Sequence, residues 1–135
     1  MLDRGVAFAR RVFTVAGVYG ILVLAPQYFT EGKTGRDFPP PITHPEHYYG
    51  FIGVALAWQV LFLILARDPR RYRPMMIPAI LEKLAFGLAV PVLYLQGRLA
   101  PFILIFGAID LILATLFFVS FRVTAGEWRR GNGDV

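Results

Sequence analysis

The sequence contains no cysteine, only two histidines and few charged residues. Without cysteine the chain can form no disulfide, thiolate nucleophile or thiolate metal site. Charged residues make up 17% of the chain and hydrophobic residues 56%, a balance too apolar for a soluble domain of this length. The sequence also lacks a Ser-His-Asp pattern and a glycine-rich phosphate loop. It therefore identifies neither a catalytic residue nor a cofactor, and it leans against an enzyme.

Four long hydrophobic runs account for most of the chain. A helix that crosses a bilayer needs about 20 mainly apolar residues, and such runs lie at residues 8–29, 48–66, 75–95 and 101–121. The second and third connections are short, so successive helices are expected to be antiparallel neighbours. We predict an all-α integral membrane protein, with residues 1–135 forming a single domain that folds as an antiparallel four-helix bundle.

The connections between the spans predict the orientation. The long first connection, residues 30–47, contains Pro39-Pro40-Pro41, a run that favours an extended polyproline conformation. The opposite side carries most of the positive charge: Arg4, Arg10, Arg11, Arg67, Arg70, Arg71, Arg73, Arg122, Arg129 and Arg130. Because arginine-rich segments remain cytoplasmic, we expect both termini in the cytoplasm and residues 30–47 outside, in the inner membrane of a bacterium. This distribution indicates contact with membrane lipids and not with nucleic acid.

Three ionisable residues, Glu82, Lys83 and Asp110, fall inside the predicted spans. A charge at the centre of a spanning helix costs about 2.5–3.5 kcal/mol, so such residues need partners or a function. With a rise of about 1.5 Å per residue, Glu82 lies about 10 Å and Asp110 about 16 Å from the cytoplasmic boundary. Gln59 and Tyr19 fall at similar depths, and Thr14 completes the set, which predicts one polar cluster shared by all four helices.

The orientation of the two neighbouring charged residues limits this cluster. Glu82 and Lys83 are about 100° apart around their helix, so both cannot point at the bundle axis. We expect an ion pair between Lys83 and Asp110, with Glu82 hydrogen-bonded to Gln59 or Tyr19.

The cluster admits several functions. It can fix helix register and do nothing else, or it can form the polar end of a pocket for a small amphipathic or lipid-like molecule, with Trp58 and Phe86 among the walls. Pro78 and Pro91 can kink the third span around such a pocket. Proton-coupled transport is an alternative, although small four-span multidrug exporters carry their acid in the first span and this first span has none. A non-catalytic accessory subunit of a larger membrane complex is another, and a homodimer is open.

The segment Thr43-His44-Pro45-Glu46-His47 precedes the second span. Two imidazoles and a carboxylate within four residues suit a divalent metal ion. The sequence favours a different role, in which Thr43 or His44 caps the helix, Pro45 and Glu46 form its first turn, and the tyrosines that follow sit at the membrane interface. No metal is therefore expected, and His44, Glu46 and His47 are weak candidate ligands.

The plan of four spans with intramembrane acids at Glu82 and Asp110 resembles the small bacterial four-span proteins that include the DoxX-like proteins. The resemblance extends to residues 47–69, which begin His-Tyr-Tyr-Gly-Phe, pass through Trp-Gln and end Arg-Asp-Pro. At greater distance the chain resembles the sterol-isomerase and sigma-2-receptor tetraspans, whose isomerases use intramembrane acids to move protons on a sterol. The resemblance implies ligand binding inside the bundle. Lys83 is a departure, because it can neutralise the acid that isomerase chemistry uses.

Overall fold

The computed structural model describes residues 3–126, and these residues are helical apart from their connecting segments. The α-helices are α1 (Arg4–Leu24), α2 (Glu31–Asp37), α3 (Pro45–Arg67), α4 (Met76–Leu95) and α5 (Ile103–Val123). Short 3-10 helices follow α1 and precede α4, at Ala25–Phe29 and Arg73–Met75. The predicted all-α, four-helix architecture is confirmed.

Four of the helical segments are long and apolar enough to cross a membrane: Arg4–Phe29, Pro45–Arg67, Arg73–Leu95 and Ile103–Val123. They identify a multi-pass membrane protein. The predicted boundaries shift by a few residues because local capping sets the ends. Asp3, for example, accepts a hydrogen bond from the Gly5 amide at 3.1 Å, so α1 begins at Arg4 and not at residue 8.

The first connection differs from its prediction, because it contains the helix α2. Two glycines weaken this seven-residue helix, which is why its sequence reads as a loop. Glu31 in its first turn and Arg36 in its last complement the helix dipole, and Lys33 forms an ion pair with Asp37 one turn later. Those three signals could have predicted α2. The chain bends at residues 38–40, so the three prolines at 39–41 do not extend as a polyproline helix.

Each long helix turns one stripe of residues inward, because buried positions recur every three or four residues. The stripe of α4 comprises Met76, Ala79, Lys83, Gly87 and Val90, and that of α5 comprises Gly107, Asp110, Leu113, Ala114, Phe117 and Ser120. α1 packs against α3 and α5, and α5 packs closely against α4, whereas α3 and α4 scarcely contact each other. The short α3–α4 connection therefore does not make these two helices close neighbours, contrary to the prediction.

Three fully buried phenylalanines fill the centre between α1, α3 and α5. The rings of Phe13 and Phe117 are stacked at 4.3 Å between centroids, and Phe62 meets Phe117 edge-on at 5.0 Å. Two polar contacts tie the helices together at one end of the bundle: Arg10 donates to the Arg67 carbonyl, and Arg73 donates to the Phe121 carbonyl. We call this the arginine-rich end, and the opposite end, where α2 lies, the α2 end.

Candidate functional site

The interior of the bundle contains a charged triad formed by Glu82, Lys83 and Asp110. Lys83 Nζ lies 3.2 Å from Asp110 Oδ1 and 3.5 Å from Glu82 Oε2. Lys83 is only 5% exposed because it occupies the buried stripe of α4, and Asp110 occupies the buried stripe of α5. The predicted Lys83–Asp110 ion pair is present. Glu82 lies at the edge of its stripe, with 20% of its side chain exposed, and it too faces Lys83.

The Lys83 ammonium also faces an aromatic ring, since its Nζ lies 5.5 Å from the centroid of Phe62 on α3. A cation at this distance is attracted by the electron-rich face of the ring. The contact links α3 to α4 at a level where these helices otherwise scarcely meet. No sequence pattern predicts this contact, because Phe62 is one of many phenylalanines in apolar runs.

Gln59 lies on the buried stripe of α3 and is 1% exposed. Its amide nitrogen donates to the carbonyl of Ala55 on its own helix at 2.9 Å. The predicted hydrogen bond to Glu82 is therefore wrong, because the backbone carbonyl one turn earlier lies within reach of the amide. Gln59 is accommodated by Gly20 of α1, where an added Cβ would overlap the glutamine side chain.

Two buried oxygens in this region accept no hydrogen bond from the described residues: Gln59 Oε1 and Glu82 Oε2. Buried polar atoms in proteins are almost always partnered, and each exception needs an explanation such as a bound water, ion or ligand. Both atoms are acceptors. The triad also pairs two carboxylates with one ammonium group, so it has an excess of negative charge and of acceptors.

The other residues predicted for the cluster are placed less centrally. Tyr19 is half-buried against the core. Trp58 is also half-buried, with its ring 6.4 Å from that of Phe62. Thr14 is exposed on α1 and donates to the Arg10 carbonyl, so it does not belong to the cluster. The four helices thus do not contribute equally: α4 and α5 supply the charges.

The prolines of α4 also differ in position. Pro78 lies in the first turn of α4, where its missing N–H removes no helical hydrogen bond, and so it produces no kink. Pro91 lies inside the helix.

A cavity of about 500 Å³ lies at the arginine-rich end and not beside the triad. It is lined by Arg73, Phe121, Arg122, Ala125 and Gly126. Gly126 is the last described residue. The clusters of ionisable side chains lie elsewhere, at the triad and at the start of α3.

At the start of α3, His44, Glu46 and His47 converge on the surface of the α2 end. His44 Nδ1 lies 3.2 Å and His47 Nδ1 lies 3.5 Å from the same oxygen, Glu46 Oε1. His44 precedes the helix as predicted, but its side chain makes no capping hydrogen bond. Pro45 and Glu46 occupy the first turn, in agreement with the sequence.

The chain matches no protein-family model, no curated protein and no solved structure.

Proposed function

We propose that the protein binds a small amphipathic or lipid-like molecule within the membrane, with the polar end of that molecule at the charged triad. The observation that carries this proposal is that two buried oxygens, Gln59 Oε1 and Glu82 Oε2, accept no hydrogen bond from the described residues, although Glu82 Oε2 lies 3.5 Å from Lys83 Nζ. In hydrocarbon no bulk water can satisfy them, so an unpartnered acceptor is costly. A bound molecule that donates hydrogen bonds removes this cost.

The same atoms define the chemistry of the ligand. Both oxygens are acceptors, and two carboxylates face one ammonium group. A hydroxyl, amide or ammonium group on the ligand can donate to them, whereas a carboxylate or phosphate would be repelled. The ligand class is therefore a hydrophobic body with a donor-bearing or cationic end.

The sparse packing of α3 against α4 supports a lateral route from the bilayer. The contact between Phe62 and Lys83 joins the triad to α3. Glu82 lies at the edge of the buried stripe of α4, with part of its side chain exposed. Glu82 is the most exposed member of the triad, so we expect a lipid-like molecule from the bilayer to meet it first. Trp58 is half-buried on the same helix as Gln59 and supplies an aromatic wall.

The surfaces of the bundle favour a protein that acts alone over an accessory subunit. All four spanning helices expose large aliphatic side chains of the kind that lipid tails cover, among them Leu22, Ile64, Leu81 and Ile112. Of the small residues on α5 that could form a flat docking face, Gly107, Ala114 and Ser120 are buried, whereas Ala108 is exposed. Ala114 is buried, and a Cβ on Gly107 would lie 2.6 Å from Val90 of α4.

The resemblance to DoxX-like proteins is compatible with this function, and no catalytic step is needed for it. The proposal also places the protein in a bacterial inner membrane with the arginine-rich end in the cytoplasm. The arginines there can contact anionic headgroups, at about 1 kcal/mol each. Arg129 and Arg130, which also supported this orientation, lie outside the described residues.

The absence of cysteine makes the orientation directly testable. Single variants Arg36→Cys, at the α2 end, and Arg70→Cys, at the arginine-rich end, each introduce one thiol. In intact cells a membrane-impermeant maleimide should label position 36 without lysis and position 70 only after lysis. The reverse pattern would show that the charge argument is wrong.

Native mass spectrometry of the protein released from mild detergent tests the ligand proposal. We expect the wild-type protein to retain a small molecule and Gln59→Leu to lose most of it. Gln27→Leu is the matched control, because Gln27 also donates its amide to the carbonyl four residues earlier, at 3.1 Å, but lies in the 3-10 helix after α1 and not on the buried stripe of α3. Equal retention by both variants would refute the site. A heteromeric assembly without a small molecule would favour an accessory subunit.

A further inference from the structure

The exposed cluster at the start of α3 has ligand chemistry that the intramembrane site does not use. Imidazole nitrogen and carboxylate oxygen together suit zinc and similar divalent ions. His44 and His47 are the only histidines of the chain, and both direct Nδ1 towards one oxygen of Glu46. We infer that His44, Glu46 and His47 bind a divalent transition-metal ion such as Zn²⁺ at the membrane surface of the α2 end.

The distances between the three side chains support this inference. With bonds of about 2.0–2.1 Å, neighbouring ligand atoms around a tetrahedral zinc ion are about 3.4 Å apart. The two measured separations from Glu46 Oε1 are 3.2 and 3.5 Å. All three ligand atoms lie within 4.8 Å of one another, so small rotations of the imidazole rings bring the third separation into range. The rings already face each other edge-on, with centroids 5.4 Å apart.

The backbone that carries these ligands is anchored. Tyr48 donates from its hydroxyl to the Gln27 carbonyl at 2.7 Å, and Tyr49 donates to Glu31 at 2.7 Å. These bonds fix the first turn of α3 to the corner between α1 and α2, directly after His47. Pro45 limits the backbone between the two histidines. The ligands therefore converge from a positioned turn, which lowers the entropy lost on binding a metal.

The charge of Glu46 offsets the partial positive charge at the start of α3. The start of a helix carries partial positive charge, which opposes a cation. Glu46 contributes a full negative charge in that same turn, and metal–ligand bonds to three side chains far exceed the dipole effect, which is weak at exposed positions. Three protein ligands leave a fourth position for water or for an exogenous group. This site lies at the surface and is independent of the intramembrane ligand.

Equilibrium dialysis of the tag-free, detergent-solubilised protein against Zn²⁺, with the bound metal quantified by mass spectrometry, measures this site. We expect one Zn²⁺ per chain. His44→Ala, His47→Ala and Glu46→Gln should each weaken binding at least about tenfold. Asp37→Asn, which removes another exposed carboxylate at the α2 end, is the control and should bind Zn²⁺ like the wild type.

A second readout separates coordination from loss of folding. Co²⁺ in place of Zn²⁺ should give visible absorption bands that disappear in His44→Ala, while far-ultraviolet circular dichroism stays unchanged. Because the chain contains no cysteine, thiolate ligands cannot contribute to the spectrum. Absence of stoichiometric Zn²⁺, or equal weakening in Asp37→Asn and His44→Ala, would overturn the proposal and leave only paired His and Glu side chains.

Discussion

Replacing Lys83 with Met should destabilise the bundle strongly, because among the described residues Lys83 alone places an ammonium group beside the two intramembrane carboxylates. Its Nζ lies 3.2 Å from Asp110 and 3.5 Å from Glu82. Removing one partner of a buried ion pair typically costs about 3–5 kcal/mol. Pairs inside membranes couple more weakly, by about 1–2 kcal/mol. For Lys83→Met we therefore expect a loss of about 3 kcal/mol, since both carboxylates lose their counter-ion.

The coupling between the two residues isolates the pair from other effects of substitution. Unfolding of Lys83→Met, Asp110→Asn and the double variant by sodium dodecyl sulfate, followed by circular dichroism, gives a double-mutant cycle. We expect a coupling free energy of about 1–2 kcal/mol. Lys33→Met and Asp37→Asn provide the control. Both side chains of that ion pair are exposed, so they should couple by less than about 0.5 kcal/mol.

An additive result for Lys83 and Asp110, within about 0.5 kcal/mol, would show that the two side chains do not interact in the folded protein. The triad would then lose its place in the ligand site. A coupling no larger than that of the control pair would lead to the same conclusion.

Two further substitutions test the packing. Gly20→Ala should destabilise the protein by about 1–3 kcal/mol, because the new methyl group overlaps Gln59. Adding Gln59→Ala should restore part of the loss in the same unfolding assay, whereas Gly50→Ala, with nothing within 4 Å, should be neutral or stabilising. Arg73→Lys should cost about 1–2 kcal/mol, because lysine cannot reproduce the two hydrogen bonds to the Phe121 carbonyl. In Arg73→Lys, amide exchange should become faster than in the wild type at the end of α5 and should change less at its start, which would report this loss.

Side-chain geometry at the triad could be predicted only in part. The presence of ionisable residues at similar depths was readable, because depth follows from position along a helix. Whether Glu82 or Lys83 points inward could not be predicted. α4 is apolar on all sides, so its sequence offers no contrast between a lipid-facing and a buried face. Packing against α5 decides it: Gly87 lies on the inward stripe, four residues after Lys83, and a Cβ there would meet Leu111 at 2.8 Å.

Hydrogen bonding and metal-ligand geometry were decided by local structure. Gln59 bonds to its own helix, an option open to any glutamine in a helix and invisible in the spacing between spans. His44 and His47 were recognised as candidate ligands, but their convergence on one oxygen of Glu46 depends on how the chain enters α3 after Pro45. The two tyrosines that anchor this turn reach residues about 20 positions earlier in the chain.

The sequence was sufficient to predict the all-α class and the four apolar helices, because in a bilayer every backbone polar group must be bonded within its own segment. It also determined the presence of intramembrane charges. Helix packing, which the sequence does not reveal, keeps α3 and α4 almost out of contact and turns Lys83 and not Glu82 to the inward stripe. It also leaves Gln59 Oε1 with no hydrogen bond from the described residues. Hydropathy identifies which segments leave water, whereas the contacts between those segments depend on shape complementarity, set here by Gly20 and Gly87.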